Sequence, residues 1–134
     1  YQFGSAIRLV GYQLLTPELS PGDELNVELY WQALAKLERD YTIFVHVLDT
    51  TGQIIAQWDT MPRNNTFATT QWSPGRLVDD VHLVPLSPDT PAGEYRLALG
   101  MYYWQTGERL PVQNANGGLN PDAMIILEQT INVK

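Results

Sequence analysis

The sequence predicts an all-β fold, an immunoglobulin-like or jelly-roll-like antiparallel β-sandwich of about seven to eight strands. Three observations predict it. Turn residues recur directly ahead of alternating runs, at Pro21-Gly22-Asp23-Glu24-Leu25, Pro74-Gly75-Arg76-Leu77 and Pro91-Ala92-Gly93-Glu94-Tyr95. Proline presets φ and glycine accepts positive φ, so each turn reverses the chain before a half-buried strand begins. Apolar and polar residues then alternate with the period of two that a strand imposes. Finally, no apolar period of about 3.6 residues persists anywhere, so helix is minimal.

The first strand is read over residues 6–15, where Ala6, Ile7, Leu9, Val10, Leu14 and Leu15 supply the apolar positions. It stops at Thr16-Pro17, because proline withholds a ladder donor. The second, Glu24 to Leu34, alternates most clearly: Leu25, Val27, Leu29 and Trp31 on one face, Asn26, Glu28, Tyr30 and Gln32 on the other. Asp40 to Asp49 is apolar on both faces, with Ile43, Val45 and Val47 against Phe44 and Leu48, which predicts a central strand. Asp49-Thr50-Thr51-Gly52 reads as a hairpin loop returning into a partner strand over residues 53–59. Residues 60–75 lack periodicity, and a long irregular segment of this kind is commonly functional. Strands follow at Arg76 to Leu86 and Glu94 to Tyr103, with a hairpin tip at Gln105-Thr106-Gly107. Asn114 to Pro121 forms a second loop, and Met124 to Val133 closes the sheet.

A chain of 134 residues fits one domain with one core. Because it opens on Tyr1 and a strand follows almost at once, the whole of 1–134 reads as a single sandwich excised from a longer chain. Apolar residues make up 44% and charged residues 17%, which excludes a disordered tail. A net charge of −7 with two lysines excludes nucleic acid or an anionic membrane surface as partner, since both demand clustered cations. Without cysteine there is neither disulfide nor thiolate site. No run approaches the roughly 20 apolar residues of a membrane span.

Several strings together carry a resemblance: Leu29-Tyr30-Trp31-Gln32-Ala33-Leu34, Asp40 to Asp49, Gln57-Trp58-Asp59-Thr60-Met61-Pro62, Trp72-Ser73-Pro74-Gly75 and Ala92-Gly93-Glu94-Tyr95. Over residues 6–112 the chain resembles the soluble C-terminal β-sandwich region of bacterial membrane glycosyltransferase-like proteins that act on lipid-linked sugars. The resemblance implies an accessory domain on the extracytoplasmic face of a bacterial membrane, partnered by the rest of its parent protein. It carries no catalytic residue onto these positions.

The residues themselves bear little reactive chemistry. His46 and His82 sit on separate strands with no metal-ligand spacing, so each reads as structural, a ring nitrogen bonded to a neighbour. Asp79-Asp80 reads as a solvated strand edge, because the oxygen-rich loop that calcium prefers is missing. Asp49, Asp59, Asp79 and Glu94 are the carboxylates from which a glycosidase pair would come, though any acidic sandwich offers such a set. No serine stands in a nucleophile elbow. Asn64-Asn65-Thr66 matches a glycosylation acceptor, a pattern out of place beside the bacterial resemblance. No catalytic, cofactor-binding or metal-binding residue is therefore assigned.

Tryptophans are more informative. Trp31 is in register with core positions. Trp58, Trp72 and Trp104 lie among polar neighbours at strand ends or in loops. Sugar rings present C–H faces to aromatic planes and hydroxyls to amides and carboxylates. The predicted glycan-binding set is therefore Trp58, Trp72 and Trp104 with Asp59, Arg63 and Asn64. Tyr102 and Tyr103 share the question, since alternation sends one inward and the other outward.

Overall fold

Alternation in sequence becomes two opposed faces in space. A computed structural model describes residues 1–16 and 18–134, so the predicted strand stop at Pro17 lies outside the described residues. Among the described residues ten strands form: β1 (Gln2–Phe3), β2 (Ile7–Leu14), β3 (Glu18–Leu19), β4 (Glu24–Ala33), β5 (Tyr41–Leu48), β6 (Ile54–Thr60), β7 (Leu77–Pro85), β8 (Gly93–Tyr103), β9 (Val112–Gln113) and β10 (Ile125–Val133). The seven long ones are the predicted strands. Three two-residue strands are additional, too short to carry any periodicity.

Two five-stranded sheets result, ordered β7-β4-β2-β1-β9 and β3-β10-β8-β5-β6. Pairing is antiparallel throughout except between β10 and β3. Leu25, Val27, Leu29, Trp31 and Ala33 of β4 meet Ile43, Val45 and Val47 of β5 and Leu97, Leu99 and Met101 of β8 in one buried cluster. Phe3 stands edge-on to Trp31, their ring centres 5.3 Å apart.

β5 is an interior strand, as its two-faced apolar pattern predicts, lying between β8, which holds the middle of the sheet, and the edge strand β6. Its outward residues are covered too. Phe44 is 2% exposed, with the Arg109 guanidinium 4.4 Å from its ring centre. Arg109 in turn donates to the carbonyl of Asp122, so the segment ahead of β10 lies over this face. Gly100 of β8 makes room for that ring: a Cβ there would stand 2.5 Å from two Phe44 ring carbons and 3.0 Å from the Ala123 carbonyl oxygen. Gly100→Ala is therefore expected to destabilise by about 1–3 kcal/mol through overpacking. Denaturant midpoints check this, and Phe44→Leu in the same chain should recover part of the loss.

β6 and β7 are the edge strands of their respective sheets, and they meet along one side of the sandwich. Between them the 60–75 segment folds into a turn at Pro62–Asn65 and a 3-10 turn at Thr69–Gln71. Arg63, Asn64 and Asn65 take φ of 52°, 53° and 67°, left-handed values that cost non-glycine residues about 1–2 kcal/mol each. Such a conformation persists only where the surroundings over-determine it.

Candidate functional site

A buried carboxylate holds that turn. Asp80 of β7 is fully buried and accepts three hydrogen bonds: from the Arg63 backbone N–H at 2.7 Å, from Trp31 Nε1 at 3.2 Å and from His82 Nε2 at 2.6 Å. Since a carboxylate only accepts, His82 presents its Nε2–H to it. Arg63 Nε also donates to the Asp79 carbonyl at 2.9 Å, and the guanidinium pairs with the exposed Asp79 carboxylate, holding that carboxyl below its usual range. Asn65 Oδ1 accepts from the Met61 N–H at 2.9 Å. The left-handed run is thus fastened at both ends, and Asn64 and Asn65 line two different hollows.

The first hollow, of about 420 Å³, is lined by Asp59, Asn65, Tyr102, Trp104 and Gln105. Tyr102, near the end of β8, and Trp104, in the turn that follows it, have ring centres 6.5 Å apart and planes inclined by 40°. Trp104 is 72% exposed. Tyr102 donates its phenolic O–H to Asp59 Oδ2 at 2.9 Å, leaving Asp59 Oδ1 for another donor. Burial, and then the Asp59 carboxylate, push the Tyr102 phenol up to about 12. The phenol stays neutral through the physiological range and keeps donating. An alkaline spectrophotometric titration should find one tyrosine ionising near about 12, and Asp59→Asn should bring it down because the repelling charge is gone.

The second hollow, of about 250 Å³, lies between β6 and β7 and is lined by Trp58, Thr60, Asn64, Val81, His82 and Leu83. Thr60 lines both hollows, standing between them.

The predicted glycan set is thereby divided. Asp59 and Trp104 share one hollow, and Trp58 and Asn64 share the other. Two members are corrected. Trp72 is fully buried, its indole N–H spent on the Phe67 carbonyl at 3.1 Å, so it has no face to offer a sugar. Arg63 is committed to Asp79 and Asp80 and lines neither hollow. The reading of Asp79-Asp80 as a solvated edge holds for Asp79 alone, because Asp80 faces the core.

Both histidines are buried. His46 rests against Phe44, with ring centres 4.6 Å apart, and burial pulls its imidazole below the ordinary 6.5. Asp49 is used by its own hairpin, where Oδ1 accepts from the N–H of Thr51, the N–H of Gln53 and the Thr51 hydroxyl. Among the described residues, no group of three or more His, Cys, Asp or Glu converges as a metal site. Sequence reasoning missed Gln105 and Asn65. The signal for Gln105 was its place beside Trp104 at the predicted hairpin tip.

No family model and no curated protein sequence matches the chain. Among solved structures it is similar to the C-terminal domain of Wzt, with a TM-score of 0.62 at 11% identity, covering 99% of this chain and 76% of that one. A second similarity is to a β-glucuronidase from glycoside hydrolase family 2, with a TM-score of 0.57 at 12% identity over 75% of this chain, which spans 10% of that enzyme's length. A third is to the CARDB domain of a Pyrococcus furiosus protein, solved in complex with di-metal ions. There the TM-score is 0.50 at 13% identity, covering 100% of this chain and 94% of that one. At such identities the likeness shows the fold, an immunoglobulin-like β-sandwich.

Proposed function

We propose that this chain is a non-catalytic accessory β-sandwich of a membrane-bound glycosyltransferase-like protein at the extracytoplasmic face of a bacterial envelope, and that it serves its parent by holding carbohydrate. The hollow at Asp59, Tyr102 and Trp104 carries this reading: an exposed indole beside a second aromatic ring, with a carboxylate oxygen, Gln105 and Asn65 at its margin. Aromatic planes take the C–H face of a sugar, while polar groups around them take its hydroxyls. Similarity to part of a β-glucuronidase supports a setting in sugar metabolism. The resemblance of residues 6–112 to the glycosyltransferase-like sandwiches is what favours a membrane-bound parent.

An independent carbohydrate-binding module is the second reading, favoured by the same hollow and differing only in needing no membrane partner. A glycan array followed by calorimetry on the isolated chain tests the shared part. Trp104→Ala should weaken binding at least about tenfold, a difference of about 1.4 kcal/mol. Stability should stay within about 0.5 kcal/mol, because the side chain is exposed. Absence of sugar binding at millimolar concentration, or binding indifferent to Trp104→Ala, would falsify it. Fractionation of the intact parent separates the two readings, since a wholly soluble parent excludes the first.

A further inference from the structure

We infer that the hollow between β6 and β7 is a second carbohydrate subsite, seating one pyranose ring against Trp58 with a ring hydroxyl on Nδ1 of His82. This rests on the carbohydrate-binding reading above and adds to it a separate pocket with its own recognition atom. His82 is 1% exposed and is among the residues lining this hollow, so a hydroxyl reaches its ring once the neighbouring side chains give way slightly. Nε2 is committed to Asp80, and among the described residues the buried Nδ1 has no hydrogen-bond partner. A buried polar atom without a partner costs about 1–3 kcal/mol, so one is normally retained only where something else completes it.

The chemistry of the walls selects the class of that partner. Nδ1 offers a lone pair when the imidazole is neutral and an N–H when it is charged. A hydroxyl satisfies either state, since it both donates and accepts. Glu24 at the rim disfavours an anion, and no lysine or arginine lines the hollow. Trp58, Val81 and Leu83 give an apolar wall, each 42–44% exposed. A volume of about 250 Å³ falls below the roughly 300–1,000 Å³ of drug-sized sites and suits a single ring.

Position links the two hollows. Thr60 lines both, and the consecutive amides Asn64 and Asn65 serve one each. The turn that Asp80 fastens sets one asparagine to either side of Thr60, and the bond from Nε2 to Asp80 leaves His82 a single nitrogen without a partner. Adjacent rings of one oligosaccharide would occupy the two sides.

The test uses the whole chain with isotope-labelled histidine and tryptophan ring nitrogens, read by proton–nitrogen correlation spectra, long-range for the imidazoles. D-glucose, D-galactose, D-mannose, N-acetyl-D-glucosamine and D-glucuronate are each titrated to tens of millimolar. At least one should shift the His82 Nδ1 resonance saturably while His46, which lines neither hollow, stays still. The shift should persist in Trp104→Ala and vanish in Trp58→Ala, a substitution at a half-exposed edge position that leaves the Asp80 bonds intact. Shifts that never saturate, or that survive Trp58→Ala, overturn the subsite. So does a saturable response of the Trp104 indole with His82 unmoved, an outcome that leaves the first hollow standing as a sugar site. A His82 response with Trp104 silent supports the subsite and removes the first hollow from the reading.

Discussion

Asp80→Ala is expected to cost about 3–5 kcal/mol, because it removes the one acceptor shared by three buried donors, each costing about 1–3 kcal/mol when left unpaired. The side chain is 0% exposed and is the shared acceptor for Trp31 Nε1, His82 Nε2 and the Arg63 backbone N–H. Truncation strands all three buried donors, and a buried donor left without an acceptor costs its desolvation penalty. Against a total stability of about 5–15 kcal/mol, this is roughly a fifth or more of what holds the fold. Asp80→Asn should cost less, about 1–3 kcal/mol. Its amide oxygen can replace one carboxylate oxygen, but its NH2 then faces a donor. Urea unfolding of the two variants measures both, and a loss below about 1 kcal/mol for the alanine would show that the network is not what secures the 61–66 turn. The same variant should broaden or shift the signals of Asn64 and Asn65, because Arg63 is the link between the strand and the turn.

Trp72→Ala should cost a similar amount, about 3–5 kcal/mol, by leaving an indole-sized cavity. Trp72 is fully buried in the main apolar cluster, packs near Phe67 at a ring separation of 6.4 Å, and donates its N–H to the Phe67 carbonyl. Removing it therefore also frees a backbone acceptor in the irregular segment. Trp72→Phe should restore most of the volume and forfeit chiefly the hydrogen bond, about 1 kcal/mol. Thermal and denaturant unfolding of both variants checks the order. The comparison with Trp104→Ala is the informative one: one indole governs stability and the other governs ligand affinity. A Trp72→Ala chain that unfolds like the unaltered protein would return Trp72 to the list of exposed platforms.

Locally these two tryptophans are hard to tell apart. Trp72 stands between Gln71 and Ser73, and Trp104 is followed by Gln105 and Thr106. Their difference arises from where the chain goes next. After Trp72 a tight turn with Gly75 at φ 84° leads straight into β7, folding the indole under the segment that precedes it. Trp104 sits at the tip of a hairpin, closed by a hydrogen bond from the Gly107 N–H to the Tyr103 carbonyl, with little chain above it. Asn64 and Asn65 were legible only as polar loop residues, because their left-handed backbone is imposed from Asp79 and Asp80 across the turn.

By itself, the order of residues determined the seven long strands, their turns and the interior place of β5. Period-two patterning and turn chemistry are local properties, written within about ten consecutive positions. Tertiary structure alone decided which face of β7 turns inward. Leu77, Val81 and Leu83 with Asp79 form the more apolar face, yet they lie outside, while Val78, Asp80, His82 and Val84 are buried. Pairing with β4 sets Trp31 opposite Val78 and Leu29 opposite Asp80. In that register Asp80 gains three hydrogen bonds that no reading of hydropathy along the strand can count, since their donors come from three separate places in the chain.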